Sequence, residues 1–166
     1  MEEIIRMQNN LLLIRRTVGW TAEDFGDKIG VTRQTINNIE SGRNKLTKTQ
    51  YIAMRSVLDA EIIQSPNETE MLKILLDVLV DNPENYSVEK REELLSKANL
   101  MAPSILAGTT SRADVSKEWI KATGFFASAG FFLSMGGPMA IGSSIAAVSM
   151  WLAKCMSETK KKKNKE

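Results

Sequence analysis

Histidine is absent from this chain of 166 residues, and cysteine occurs once, as Cys155. One thiol cannot build a disulfide framework, and without imidazole neither a Cys/His zinc site nor a histidine-based acid–base mechanism is available. Gly-rich phosphate loops and nucleophile motifs are missing as well. No catalytic residue, metal ligand or cofactor is therefore expected, and the chain reads as a non-enzyme. Carboxylates do gather at Glu89, Glu92 and Glu93, but Lys90, Arg91 and Lys97 stand beside them, and ion pairing along a wetted helix face accounts for the group. The opening MEEIIRMQNN has neither the basic start nor the apolar run and small-residue cleavage site of a secretory signal. Together with the cysteine count, this points to the cytoplasm.

What is present is charge arranged in blocks. Residues 1–58 hold nine Lys/Arg against six Asp/Glu, residues 59–116 five against eleven, and residues 117–166 eight against three. Such segmentation suits a chain with more than one kind of partner. The length favours one small domain with appendages over a layered core.

Apolar residues at Ile5, Met7, Leu11, Leu12, Ile14 and Val18 recur at near-helical spacing up to Gly19, which predicts a first helix. Thr21 and Asp24 form a capping-box pair for a short second helix, and Gly30 stands where that helix must leave in a left-handed turn. Thr32 is a good N-cap for a third helix with Ile36 and Ile39 on one face, closing at Gly42. Thr47 with Gln50 starts a fourth, whose apolar side is Tyr51, Ile52, Met54, Val57 and Leu58.

Two short helices joined by a Gly turn make a helix-turn-helix, and the outward side chains of its second helix decide whether it reads DNA. Here they are Arg33, Gln34, Thr35, Asn37 and Asn38, with no acid before Glu40. Amides bond adenine at N6 and N7, a guanidinium bonds guanine at O6 and N7, and threonine meets the thymine methyl.

The stretch WTAEDFGDKIGVTRQTINNIESGRNKLT resembles the DNA-binding domain of the lambda-repressor and Cro-like (XRE-type) helix-turn-helix family. That family combines a Thr-Gln-Glu-x-Leu-Ala helix, a Gly-Val-Ser/Thr turn and a helix ending Ile-x-x-Ile/Trp-Glu-x-Gly. The likeness runs from about Gln8 to Leu58. It implies that Arg33, Gln34, Thr35 and Asn38 enter the major groove, while Thr21, Asn37, Arg43 and Asn44 hold phosphates. Glu40 is expected to cap or pair inside the domain. Two departures stand out: Ala22 occupies a place where the family often has Gln, and Phe25-Gly26 replace Leu-Ala. Loss of that Gln removes a contact near the DNA backbone and gives dimerisation more weight.

Pro66 breaks the chain, and Ser65 is expected to cap a further helix carrying Met71, Ile74, Leu75, Val78 and Leu79, either a fifth helix of the domain or a dimer arm. Ser87 starts another, with Leu94, Leu95, Ala98, Leu100 and Met101. Ser111 with Asp114 caps a last one before Val115, Trp119 and Ile120.

Residues 122–153 carry no charge at all. As one helix they would reach about 48 Å, too long for a hydrocarbon core of about 30 Å. The Gly-Gly-Pro at 136–138 divides the run into two arms, 119–135 and 139–154, with Trp119 and Trp151 towards their outer ends and lysines flanking both. A membrane hairpin with both basic flanks in the cytoplasm satisfies this pattern. So does a tightly packed hairpin inside a soluble oligomer, since Gly124/Ser128, Gly130/Ser134, Ala140/Ser144 and Gly142/Ala146 permit close helix contact in either medium.

The expected fold is all-α. A lambda-repressor-like helix-turn-helix domain of four to five helices (1–64) is followed by an acidic helical connector or dimerisation region (65–116), a hydrophobic helical hairpin (117–155) and a basic disordered tail (156–166). The expected activity is sequence-specific binding of double-stranded DNA as a transcriptional regulator of the repressor kind. A homodimer or higher homo-oligomer is expected, with membrane association through 119–154 as the alternative use of the hairpin, holding the protein at the cytoplasmic face. A rival assignment makes the hairpin the effector of a toxin, immunity or phage-defence module, and the helix-turn-helix only the control of its own gene.

Overall fold

The structure, a computed structural model, describes residues 2–123. Over them the chain is all-α: α1 (Glu2–Thr17), α2 (Ala22–Ile29), α3 (Arg33–Glu40), α4 (Lys48–Gln64), α5 (Glu70–Leu76), a π-helical turn (Asp77–Asp81), a 3-10 turn (Pro83–Asn85), α6 (Val88–Leu106) and α7 (Arg112–Thr123). The first four helices form the helix-turn-helix domain. Helix α1 is its inner wall, with Met7, Leu11 and Ile14 fully buried between α3 and α4 and the later layer of α5, the π turn and α6. Ile5 and Leu12, expected on its apolar face, are exposed.

Local chemistry fixes most helix starts. The hydroxyls of Thr21, Thr32, Thr47, Ser87 and Ser111 each accept from the N–H three residues on. Ser65 departs from its expected role. Its N–H still donates to the Glu61 carbonyl at 2.9 Å, and Pro66 holds it outside helical geometry, so it ends α4 instead of starting α5. The next helix begins at Glu70, after Thr69 has donated its hydroxyl to the Ser65 carbonyl at 2.8 Å.

Helix α5 does not run through Val78 and Leu79 as an α-helix. It widens into the π turn, where the Asn82 N–H reaches the Asp77 carbonyl at 2.8 Å. Side chains hold that turn in place. Arg6 Nε donates to the Val80 carbonyl at 2.7 Å, Arg55 bonds both oxygens of Asp81 at 2.7 and 2.8 Å, and the Tyr86 hydroxyl donates to the Asp77 carboxylate. Burial works against the charge on Arg55, but the Asp81 and Asp59 carboxylates more than offset it and hold the guanidinium charged.

Helix α7 corrects the expectation of membrane spans. No helix among the described residues is long and apolar enough to cross a membrane. Trp119, expected at a membrane interface, is 0 % exposed, and α7 packs on α5 and α6. Of the expected arm 119–135, residues 119–123 are described, and they form the last turn of a helix that also carries Arg112, Asp114, Lys117 and Glu118. The transmembrane helix and the membrane association are withdrawn. The rest of the expected hairpin, and the basic tail, lie outside the described residues.

Candidate nucleic-acid interface

The interface is assembled from the α2–turn–α3 unit. At its start the Thr21 hydroxyl accepts from the Asp24 N–H at 3.1 Å, while Asp24 Oδ2 accepts from the Thr21 N–H and hydroxyl at 2.8 and 2.7 Å. These bonds from Thr21 hold the Asp24 carboxyl below the ordinary carboxylate range. They also commit the Thr21 hydroxyl, as donor and as acceptor, to capping.

At the other end of α2, Gly30 takes φ 74°, and the Val31 N–H returns to the Gly26 carbonyl at 2.9 Å. This closes a Schellman turn. The turn explains the Phe25-Gly26 departure. Phe25 is fully buried, and a Cβ on Gly26 would stand 2.5 Å from the Val31 carbonyl oxygen. The backbone of the turn occupies the space that an alanine methyl would take.

Ile36 and Ile39 anchor α3 in the core. Arg33 and Gln34 are exposed, Thr35, Asn37 and Asn38 are partly exposed, and Arg43, Asn44 and Lys45 are exposed beyond the helix end. Gln34 Nε2 donates to Asn38 Oδ1 at 3.0 Å, which ties the two amides together one helical turn apart. The hydroxyls of Thr32 and Thr35 lie 3.0 Å apart.

Glu40, the one acid of α3, is turned inward. Its two oxygens accept from Arg15 Nε and Nη2 at 2.6 and 3.0 Å, both side chains are 7 % exposed, and Arg15 Nη1 also donates to the Trp20 carbonyl at 2.7 Å. The pairing expected of Glu40 is therefore present. Among the described residues Arg33, Arg43 and Lys45 enter no salt bridge, so their charges remain at the surface.

An open cleft of about 410 Å³ lies beside α3, lined by Thr21, Ala22 and Glu23, by Arg33 and Asn37, and by Leu106 of α6. It brings together Thr21 and Asn37, two of the residues assigned to phosphates, with Arg33, assigned to bases. Arg43 and Asn44 are not part of its lining. The Ala22 departure has its place here: Ala22 is buried and shares the cleft wall with Leu106. No group of three His, Cys, Asp or Glu among the described residues could hold a metal ion.

Two residues escaped the sequence reading. Lys45 adds a third exposed cation to the site, and its position next to Arg43 and Asn44 was the available signal. Gln8 bonds the backbone of the last turn of α3 and of the α3–α4 loop across 31 to 38 residues of sequence, a relation no local pattern announces.

A sequence profile of the helix-turn-helix family matches residues 11–62. No curated protein and no solved structure matches the chain. The N-terminal third thus carries a helix-turn-helix domain of the lambda-repressor and Cro type, as is typical of DNA-binding regulators.

Proposed function

We propose that this protein is a sequence-specific regulator that binds double-stranded DNA and represses by occupying a site that overlaps a promoter. One observation carries the proposal. The only carboxylate of α3 is bonded away to Arg15, which leaves its outward side to Arg33, Gln34, Thr35 and Asn38, with Arg43, Asn44 and Lys45 just beyond.

In this reading α3 lies in the major groove. Because Gln34 Nε2 is bonded to Asn38 Oδ1, the pair keeps an acceptor at Gln34 Oε1 and donors at Asn38 Nδ2 and on the second N–H of Gln34 Nε2. An adenine edge presents the complementary N6 donor and N7 acceptor. Arg33 and Thr35 complete the base contacts, and Asn37, Arg43 and Asn44 meet phosphates, while the Thr21 hydroxyl reaches one by exchanging its bond to Asp24 Oδ2 for a phosphate oxygen. Two copies, joined through the charge-free run at 122–153, would address half-sites about one DNA turn apart.

Selection of bound duplexes from a random-sequence pool by the full chain tests this. A motif with two related halves about 10 base pairs apart is expected. A pool that emerges without any enriched motif overturns the proposal.

A further inference from the structure

The side chain of Gln8, on α1 and outside the segment matched to the family, spans the loop that follows α3. Its Nε2 donates to the carbonyls of Ile39 at 2.9 Å and Asn44 at 2.7 Å, and its Oε1 accepts from the Leu46 N–H at 3.0 Å. A glutamine amide owns two N–H donors and a carbonyl acceptor, so every polar group of the side chain is in use. Glutamate would lose both donors, and methionine would lose all three bonds. The bonded groups are the last turn of α3 and the residues on either side of Lys45. The span they fix carries the exposed Arg43, Asn44 and Lys45.

We propose that Gln8 is a positioning residue for binding the DNA backbone. It holds the Arg43 and Lys45 charges at a set distance from α3, so that both reach phosphates while the helix lies in the groove. The proposal rests on the DNA-binding reading of α3 and adds a residue of α1 to it. A loosened loop would still carry both cations, but it would have to be ordered at the moment of binding, a cost the clamp removes in advance. Phosphate contacts carry no sequence information, so loss of the clamp weakens binding to all duplexes alike.

The test measures binding of the full chain to a labelled random-sequence duplex over a series of salt concentrations. It compares wild type, Gln8→Met, Arg43→Ala and the double variant. Arg43→Ala is expected to reduce the slope of log affinity against log salt by about 1. Gln8→Met is expected to weaken binding roughly fivefold and to reduce the slope, with a clearly smaller effect once Arg43 is gone, because coupled residues are not additive. Amide exchange at Leu46 reports that the clamp has opened.

Unchanged affinity and slope in a Gln8→Met protein whose Leu46 amide exchanges faster overturns the positioning role. The same fold-loss in both backgrounds overturns it too, because it marks a general loss of structure. Should Gln8→Met fail to fold by far-UV circular dichroism, Gln8→Ala is judged by the same criteria. Wild-type protein with no salt-dependent binding overturns the DNA-binding reading itself, and the role of Gln8 with it.

Discussion

Glu40 stands two residues beyond Asn38, the last outward amide of α3, and its charge would repel the DNA backbone if Arg15 did not hold it inside. A buried pair of this kind costs about 3–5 kcal/mol when one partner is removed, because the other is left charged and dry. Its value to the site is the field it leaves outside, where Arg33, Arg43 and Lys45 dominate. Three outcomes follow for single residues. Gln34→Ala or Asn38→Ala is expected to relax base choice, with the double variant little worse than either alone because the two amides are bonded as a unit. Arg43→Ala should weaken matched and scrambled duplexes equally in a mobility-shift titration, so identical behaviour of the two classes would count against their assignment. The third outcome concerns pH. The Asp24 carboxyl is depressed by its bonds to Thr21, so its stabilising effect is present above about pH 4, the unfolded range, and is lost as pH falls through the lower folded value. Thr21→Ala should therefore reduce stability by about 1 kcal/mol at neutral pH through loss of the cap and flatten the acid limb of a denaturation profile. An acid limb as steep as wild type contradicts the assignment.

At the scale of the element, the α2–α3 turn shows which effects dominate. Alanine at position 26 would gain about 0.5–1 kcal/mol of helix propensity over glycine. Against this stands a methyl 2.5 Å from the Val31 carbonyl, and overpacking against backbone costs about 1–3 kcal/mol. Gly26→Ala is thus expected to lower the melting temperature and to weaken DNA binding, since the turn can yield only by moving α3. A variant of equal or higher stability would show that the close approach is absent. The helix starts were legible because a hydroxyl and the N–H three residues on are neighbours in sequence. Ser65 misled because the same residue type serves the end of α4 when a proline follows it. The π turn at Asp77–Asp81 was not legible, since the two guanidinium groups and the hydroxyl that support it come from Arg6, Arg55 and Tyr86 on three other segments.

For the described part of the molecule, α1 is the shared wall between the helix-turn-helix and the later helices, and Arg112 pins the start of α7 to that assembly. Its guanidinium bonds Glu61 and Glu68 at 2.6 Å each and reaches the Val18 carbonyl at 3.4 Å. Burial works against its charge, and the two glutamates raise it above the ordinary arginine range. With Glu68 half-exposed, the network lies between surface and buried cases, and Arg112→Met should cost about 2 kcal/mol. In a background with Trp20 and Trp151 changed to Phe, the same variant should make Trp119 more accessible to acrylamide quenching. Unchanged quenching would show that α7 is held without Arg112. The sequence revealed the helix-turn-helix because its caps, turn and core spacing are local. It did not reveal that Trp119 closes a core, because an indole beside an apolar run looks alike at a membrane surface and under a packed helix.

The most direct measurement follows the side-chain amide resonances of Gln34 and Asn38 while the full, isotopically labelled chain is titrated with the duplex it enriches from a random pool. Both amides are expected to shift, together with the backbone of Arg43 to Lys45. Shifts confined to α6 and α7, with Gln34 and Asn38 unmoved at saturation, would contradict the placement of α3 in the groove.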